Sequence, residues 1–412
     1  MTQQTQMETI NLATDVLVVG AGMTGVKAAS EIAANGYKVV LIDQNAGLGA
    51  TAGEAAGDLD GAEDTALNAL LEMVRGSDKV EVMTETSIDG AAGVPGDFKV
   101  WLSSNEDIVE KSVGAIVVAS ELVSCPLNDA YGLTLSDTVL SQSQLEEVLK
   151  NNAGAFAGKT IAFLMGLAQD GNPLVLERVL KSVLAIENVD ATSAYVVAGD
   201  LKVAEDGLER LYLECRDKGA MYVKLSAMPT VNQEGSALSL TYDDPVLQRP
   251  VEIDPDIIVV EEAIGADEVN AALAEMLKID VGSMGFLQTD NVHRYPVSTN
   301  REGIFVVGGS RRIKKRYGAL MDAENAALQV QRLLGDGTIS VPTAKAVLDT
   351  GKCTFCLTCY RCCPHGAIYW TSDNKPVISK VACQGCGICA SECPMDAIQI
   401  GDFNDAAMLS MR

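Results

Sequence analysis

Nine of the eleven cysteines in this 412-residue chain fall between positions 353 and 393, and eight of them are spaced like metal ligands. Cys353, Cys356, Cys359 and Cys363 lie in "KCTFCLTCYRCCPHGAI"; Cys383, Cys386, Cys389 and Cys393 lie in "ACQGCGICASECPMDAI", 30 positions on. Each run reads C-x2-C-x2-C-x3-C-P. That spacing wraps three thiolates around one corner of an iron-sulfur cubane, while Pro364 or Pro394 turns the chain away so that the fourth cysteine serves the other cluster. One 4Fe-4S cluster is therefore expected on Cys353, Cys356, Cys359 and Cys393, and a second on Cys383, Cys386, Cys389 and Cys363. A zinc ribbon is the competing reading, but two complete runs in tandem favour the clusters. Cys362 is spare, either a packing residue or a ligand in an alternative register. Cubanes ligated only by cysteine pass single electrons and offer no iron to a substrate, so the module reads as a wire.

A wire needs something at its other end. Gly20, Gly22 and Gly25 form G-x-G-x-x-G directly after the strand "DVLVV" and before an Ala-rich amphipathic helix. The glycines allow a tight turn and bring a pyrophosphate close to the amides around Met23 and Thr24, at the positive end of the helix. Asp43 ends the next strand, where a carboxylate accepts from a ribose 2′-OH. Two later segments favour FAD over NAD. "GAIVVAS" resembles the strand preceding the second domain of two-dinucleotide flavoproteins, with Ser120 near their usual Thr-Gly. "TNREGIFVVGGS" resembles the late strand that approaches the flavin, although Gly308 and Gly309 stand where most such proteins carry Gly-Asp.

These sites require an α/β frame. Two Rossmann-like domains of the FAD/NAD(P)-disulfide-reductase type, followed by a C-terminal two-cluster ferredoxin domain, are expected from the order of elements. The first part of the FAD domain is placed at 12–150, behind a polar arm at 1–12. An acidic Ala-rich helix covers 54–76, and "NNAGAFAG" (151–158) marks a boundary. A second, NAD-domain-like unit spans 157–285, with strands "TIAFLMG", "SAYVVAG" and "MYVKLSA" alternating with helices. Its first turn, "FLMGLAQDGNP", lacks the glycine pattern that cradles a phosphate. Residues 286–340 return to the FAD domain, and 345–402 hold the cysteine repeat.

Thirty-one basic against fifty-six acidic residues give a net charge of -25, which excludes nucleic acid and anionic membrane surfaces as direct partners. No uninterrupted apolar run is long enough for a membrane span, and the first twenty residues lack the features of a signal peptide. A reducing cytoplasm is expected, with any membrane contact made through a partner subunit. The isolated Cys125 and Cys215 are expected to be buried thiols, and His293 and His365 to be structural, His365 being placed to donate to a cluster sulfur. The dense basic run "RRIKKR" (311–316) reads as a solvated loop, a lid or anion contact near the flavin, or a docking patch for an acidic partner. No acid-base or nucleophile constellation is visible, so substrate conversion is expected elsewhere in a complex.

The start "VVGAGMTG", the segments "VEVMTETSIDGAAGVPGDFKV", "LKVAEDGLERLYLECRDKGAMYVKL", "DPDIIVV" and "NVHRYPVSTNREGIFVVGG", and the tandem cysteine repeat together resemble the HdrA-like family of heterodisulfide reductase flavoproteins over nearly the whole chain. The resemblance implies an FAD and iron-sulfur electron-transfer subunit from an anaerobic host. Its partners would be other redox subunits, HdrB- and HdrC-like or the membrane subunit of a quinone-interacting oxidoreductase. The chain departs from the family in having no cysteine before Cys125, so the further cluster that full-length members hold near the flavin domain is not expected. The alternatives are a stand-alone NAD(P)H:ferredoxin-type oxidoreductase and a non-catalytic assembly scaffold.

Overall fold

The computed structural model describes residues 6–49, 62–104, 107–235, 237–244, 246–291, 293, 295–370 and 375–401, with residues 62–64 and 153 described by their backbone only. The first eight residues of the expected 54–76 helix and residue 402 lie outside them. The chain divides into two compact units: 1–51, 67–121 and 266–412 form the first, 52–66 and 122–265 the second.

The first unit is built on a five-stranded parallel sheet, in the order Ile304–Val306, Ala115–Val118, Val16–Val19, Val39–Ile42, Val80–Met83. Its strands are runs of Val, Ile and Leu because a parallel sheet is covered on both faces. On one face the helices Met23–Ala34 and Arg316–Leu334 pack against each other. On the other lies an antiparallel meander, Thr86–Val94, Asp97–Ser104 and Asp107–Val113, whose Phe98, Val100 and Leu102 join Leu17, Val40 and Ile116 in one core. The N-terminal residues form more than an arm. Met7–Asn11 pairs antiparallel with Thr338–Pro342 in a two-stranded sheet.

The cysteine repeat closes the first unit. Ala346–Leu348 pairs with Ile398–Ile400 and Ile368–Trp370 with Pro376–Ile378, both antiparallel, and the short helices Thr358–Cys362 and Ile388–Ser391 carry ligand-spaced cysteines. Arg301 ties the repeat to the rest of this unit. Buried, it donates to Leu277 O at 2.6 Å and Gly93 O at 3.0 Å, and a Cβ on Gly366 would lie 2.8 Å from its Nε.

The second unit has its own parallel sheet, ordered Val139–Ser141, Ile257–Val260, Thr160–Met165, Ser193–Ala198, Met221–Lys224. An antiparallel meander, Thr230–Glu234, Ala237–Asp244 and Arg249–Ile253, adds Leu238, Leu240 and Tyr242 to its core. Helix Pro173–Glu187 begins as its sequence dictates, with Asn172 accepting the Leu174 N–H at 2.9 Å and Pro173 at the first helical position.

This division differs from the expected borders at 150 and 286. Val139–Ser141 and the helix Gln142–Asn152 belong to the second unit, because the apolar strand is too short to show its partner and pairs with Ile257–Val260, over a hundred residues on. The helix Val269–Leu277 belongs to the first, with Leu273 and Leu277 in its core. The small residues 151–158 lie inside the second unit rather than at a boundary, ending the helix Gln142–Asn152 and forming the 3-10 turn Ala153–Phe156.

Arg178 is locked inside the second unit. It is 2% exposed and pairs with Glu146 at 2.9 Å and Glu262 at 2.8 Å, while also donating to Ser143 Oγ at 2.9 Å. Removing the cation would strand two buried carboxylates. Arg178→Met is expected to lower stability by about 3–5 kcal/mol, read as an earlier urea unfolding transition of the second unit.

Candidate functional site

The glycine-rich turn is shaped by contacts no side chain would survive. Gly20 sits at φ +101°, and a Cβ there would lie 2.5 Å from Ala119 O; one on Gly25 would lie 1.8 Å from Gly20 O. Strand and helix therefore approach through bare backbone, and Gly22 starts the helix without a side chain of its own to cap the first amides. Asp43 holds the turn from the next strand, accepting Ala21 N–H at 2.6 Å and Asn45 N–H at 2.8 Å. Of the expected residues, Gly20, Gly22, Met23, Thr24, Gly25 and Asp43 thus come together around the amino end of one helix.

Gly308 reaches the same place from the late strand. At φ +61° it packs on Thr24, whose Oγ1 would lie 2.7 Å from a Cβ at position 308. A carboxylate from elsewhere in the chain lies behind the Gly308-Gly309 pair. Asp322, on the following helix and buried, accepts Gly308 N–H at 3.2 Å, and Arg311 and Lys314 pair with it at 3.0 Å and 2.5 Å. This corrects the reading of the run 311–316 as a solvated loop for those two residues: buried salt bridges brace the turn. Ser120 donates to Asn270 Oδ1 at 2.6 Å.

One residue that sequence reasoning missed lies at this helix terminus. Glu121, directly after Ser120, directs its carboxylate at Gly22, where a Cβ would fall 2.1 Å from Oε1. Oε1 is buried without a hydrogen-bond partner. Burial pushes the carboxyl up to about 7, opposed by the Thr24 backbone N–H and aided by the Asp43 charge. Its position just beyond the "GAIVVAS" strand was the only signal available.

The cysteines line two cavities. Cys353, Cys356, Cys359 and Cys393 face one; Cys363, Cys383, Cys386 and Cys389 face another, with His365 in its wall. Cys362 lines neither and donates to Cys359 O at 3.5 Å. Among the described residues no three His, Cys, Asp or Glu side chains converge as ligands of a single ion. The thiols ring a space, which suits a cubane better than zinc.

The two halves repeat in backbone as well as sequence. Phe355 and Gly385 donate N–H to Cys353 and Cys383 sulfurs at 3.5 Å and 3.4 Å, and both take positive φ, as do the pairs Leu357/Gly387 and Gly366/Asp396. Each half holds non-glycine residues in this left-handed conformation, a local cost that folding around a bound group offsets. Burial foremost, with Cys383 and Cys363 nearby, pushes the Cys389 thiol up to about 12, and bonding to iron would relieve that penalty.

The remaining candidates lie apart. Cys125 is exposed, not buried as expected, because alternate residues of its strand face out; Cys215 is buried and donates to Leu180 O at 3.2 Å. In the second unit, the turn after Thr160–Met165 is filled by a carboxylate. Glu261, 2% exposed, accepts Gly166 N–H at 2.9 Å, Tyr131 OH at 2.7 Å and Gln169 Nε2 at 3.2 Å.

Residues 15–163 match the family model described as FAD dependent oxidoreductase, and 376–399 match a 4Fe-4S binding domain. Thioredoxin reductase from T. acidophilum covers 77% of the chain and 98% of its own length at TM-score 0.53 and 15% identity. The Lactococcus lactis enzyme covers 78% and 99% at TM-score 0.54 and 17% identity. Fold and site define an FAD-dependent oxidoreductase with an iron-sulfur domain. Over most of its length the chain is a homologue of the HdrA component of heterodisulfide reductase. The HdrA iron-sulfur component of CoB--CoM heterodisulfide reductase from Methanocaldococcus jannaschii is 21% identical over 89% of the chain and 71% of that protein. Its counterpart in the ferredoxin:CoB-CoM heterodisulfide reductase of Methanosarcina acetivorans is 21% identical over 96% and 66%. An HdrA-like protein of Archaeoglobus profundus is 28% identical over 47% of the chain, a match that spans 28% of the relative.

No helix among the described residues is long and apolar enough to cross a membrane.

Proposed function

We propose that the chain is the flavin and iron-sulfur subunit of an HdrA-like oxidoreductase complex. The observation that carries this reading is the presence, in one compact unit, of a dinucleotide turn and two separate four-cysteine cavities. FAD, when bound, supplies two-electron chemistry, and two 4Fe-4S clusters supply one-electron steps toward partner subunits. Gly20, Gly22 and Gly25 admit the diphosphate to the amides of Met23 and Thr24; Asp43 faces the ribose; Gly308 and Gly309, braced by Asp322, close the turn from the late strand. The clusters divide as Cys353, Cys356, Cys359 and Cys393, and Cys383, Cys386, Cys389 and Cys363. Conversion of substrate is assigned to partners, HdrB- and HdrC-like or a membrane quinone-interacting protein, in or facing the cytoplasm.

The stand-alone NAD(P)H reading is disfavoured by Glu261. Its carboxylate already takes the amide at the second unit's first turn, where a pyrophosphate would need an uncompensated donor, and charge repulsion opposes a second anion there. On anaerobic purification the protein is expected to carry flavin and iron. Its visible spectrum should bleach with a reduced low-potential donor and stay unchanged with NADH or NADPH. Bleaching by either nucleotide would return the stand-alone enzyme to first place, and absence of flavin would defeat both readings.

A further inference from the structure

Glu121 places a carboxylate where the flavin site needs an empty anion seat. The amino end of helix Met23–Ala34 has no side-chain cap, and its Thr24 N–H is directed at the Glu121 carboxylate. A Cβ at Gly22 would collide with Oε1 at 2.1 Å, so carboxylate and glycine face each other at the turn through which a diphosphate must approach the backbone. Oε1, buried and without a partner, has no compensating donor.

We propose that the Glu121 carboxylate is an internal competitor for the flavin diphosphate, yielding the Thr24 amide and taking one proton from solvent when the dinucleotide binds. The inference rests on the flavin reading of this turn. A helix terminus favours one anion over none, but two anions sharing its few amides repel each other at short range in a site that excludes water. The acid must therefore lose either its place or its charge. Loss of charge is the easier course, because burial already pushes this carboxyl up to about 7 and the Asp43 charge at the end of the second strand adds to the shift. The other charged groups on the elements meeting here lie in two unequal ion-paired clusters, one with a surplus carboxylate and one with a surplus cation, with Arg312 beside Lys314. Lys27, one turn along the helix, pairs with Glu31 and Glu324, and Arg311 and Lys314 behind the Gly308 turn pair with Asp322.

The sign follows. Below pH 7 the carboxyl is already neutral and uptake of FAD costs no proton. Above it, each pH unit weakens binding by up to tenfold, about tenfold in all between pH 6 and pH 8.

Full-length protein stripped of flavin is titrated with FAD at pH 6 and pH 8, as wild type, Glu121→Gln and Glu121→Ala, with far-UV circular dichroism to verify the fold. Wild type should bind about tenfold more weakly at pH 8 than at pH 6, while both variants bind with a flat pH profile and exceed wild type at pH 8. Retention of the pH dependence in both variants would overturn the proposal, as would FAD binding weakened in both at both pH values, which would make Glu121 a flavin ligand. FAD uptake in none of the three, with the fold intact, would instead overturn the flavin reading itself. A pH-independent wild type that binds FAD overturns only the competition.

Discussion

Replacing Cys363 by serine is expected to remove the cluster whose other three ligands begin twenty residues later, and to leave its own neighbours untouched. Cys353, Cys356 and Cys359 precede it in sequence, yet Cys363 faces the cavity lined by Cys383, Cys386 and Cys389. Cys393 in turn faces the cavity of the first three. Iron should fall from about eight to about four per chain, with the visible absorbance roughly halved and one of two cluster signals lost from the electron paramagnetic resonance spectrum of the reduced protein. Cys362→Ser, one residue away, should retain all the iron, because Cys362 lines neither cavity and is tied to Cys359 O. Full iron in Cys363→Ser together with loss in Cys362→Ser would show that the register is shifted and that the spare cysteine is the ligand.

Gly25→Val is expected to abolish flavin binding while sparing the clusters. A Cβ at this position would sit 1.8 Å from Gly20 O, far inside any van der Waals contact, and the clash is with backbone that has no rotamer to escape into. The helix must move away from the strand, taking the Met23 and Thr24 amides out of reach of a diphosphate. Flavin content should drop from about one per chain to near zero, seen as loss of the absorbance released on acid denaturation, with iron per chain unchanged. A variant that keeps its flavin would mean the turn is not the dinucleotide seat. The same variant that loses iron as well as flavin would mean that the first unit had unfolded, and Gly25→Ala would then be the informative change.

The grouping of the cysteines around two spaces and the glycine turn were legible because both depend on short-range spacing. Three thiolates within seven residues can close on one corner of a cluster whatever surrounds them, and G-x-G-x-x-G after an apolar strand specifies its own turn. The alternation of strands and helices likewise announced two parallel sheets. What failed were the borders. Val139–Ser141 is three residues long and carries no sign that its partner is Ile257–Val260, and "NNAGAFAG" is as small and polar as a linker while forming a turn within one unit. The fate of the basic run was also illegible. Arg311 and Lys314 are drawn inward by Asp322, which is buried on a helix packed against Met23–Ala34, nearly three hundred residues earlier in the chain.

By itself, then, the sequence determined which chemical groups are present and which of them lie within a few residues of one another: eight cysteines at ligand spacing, one glycine turn, one acid at the end of the next strand. Only the tertiary structure decided the contacts made across long separations. It put Asp322 beneath the Gly308 turn, Glu261 at the turn after Thr160–Met165, and Glu121 against Gly22. The physical reason is that a carboxylate's partner is selected by where strands end in a sheet, and the order of strands is set by the burial of whole faces, which no local pattern of residues encodes.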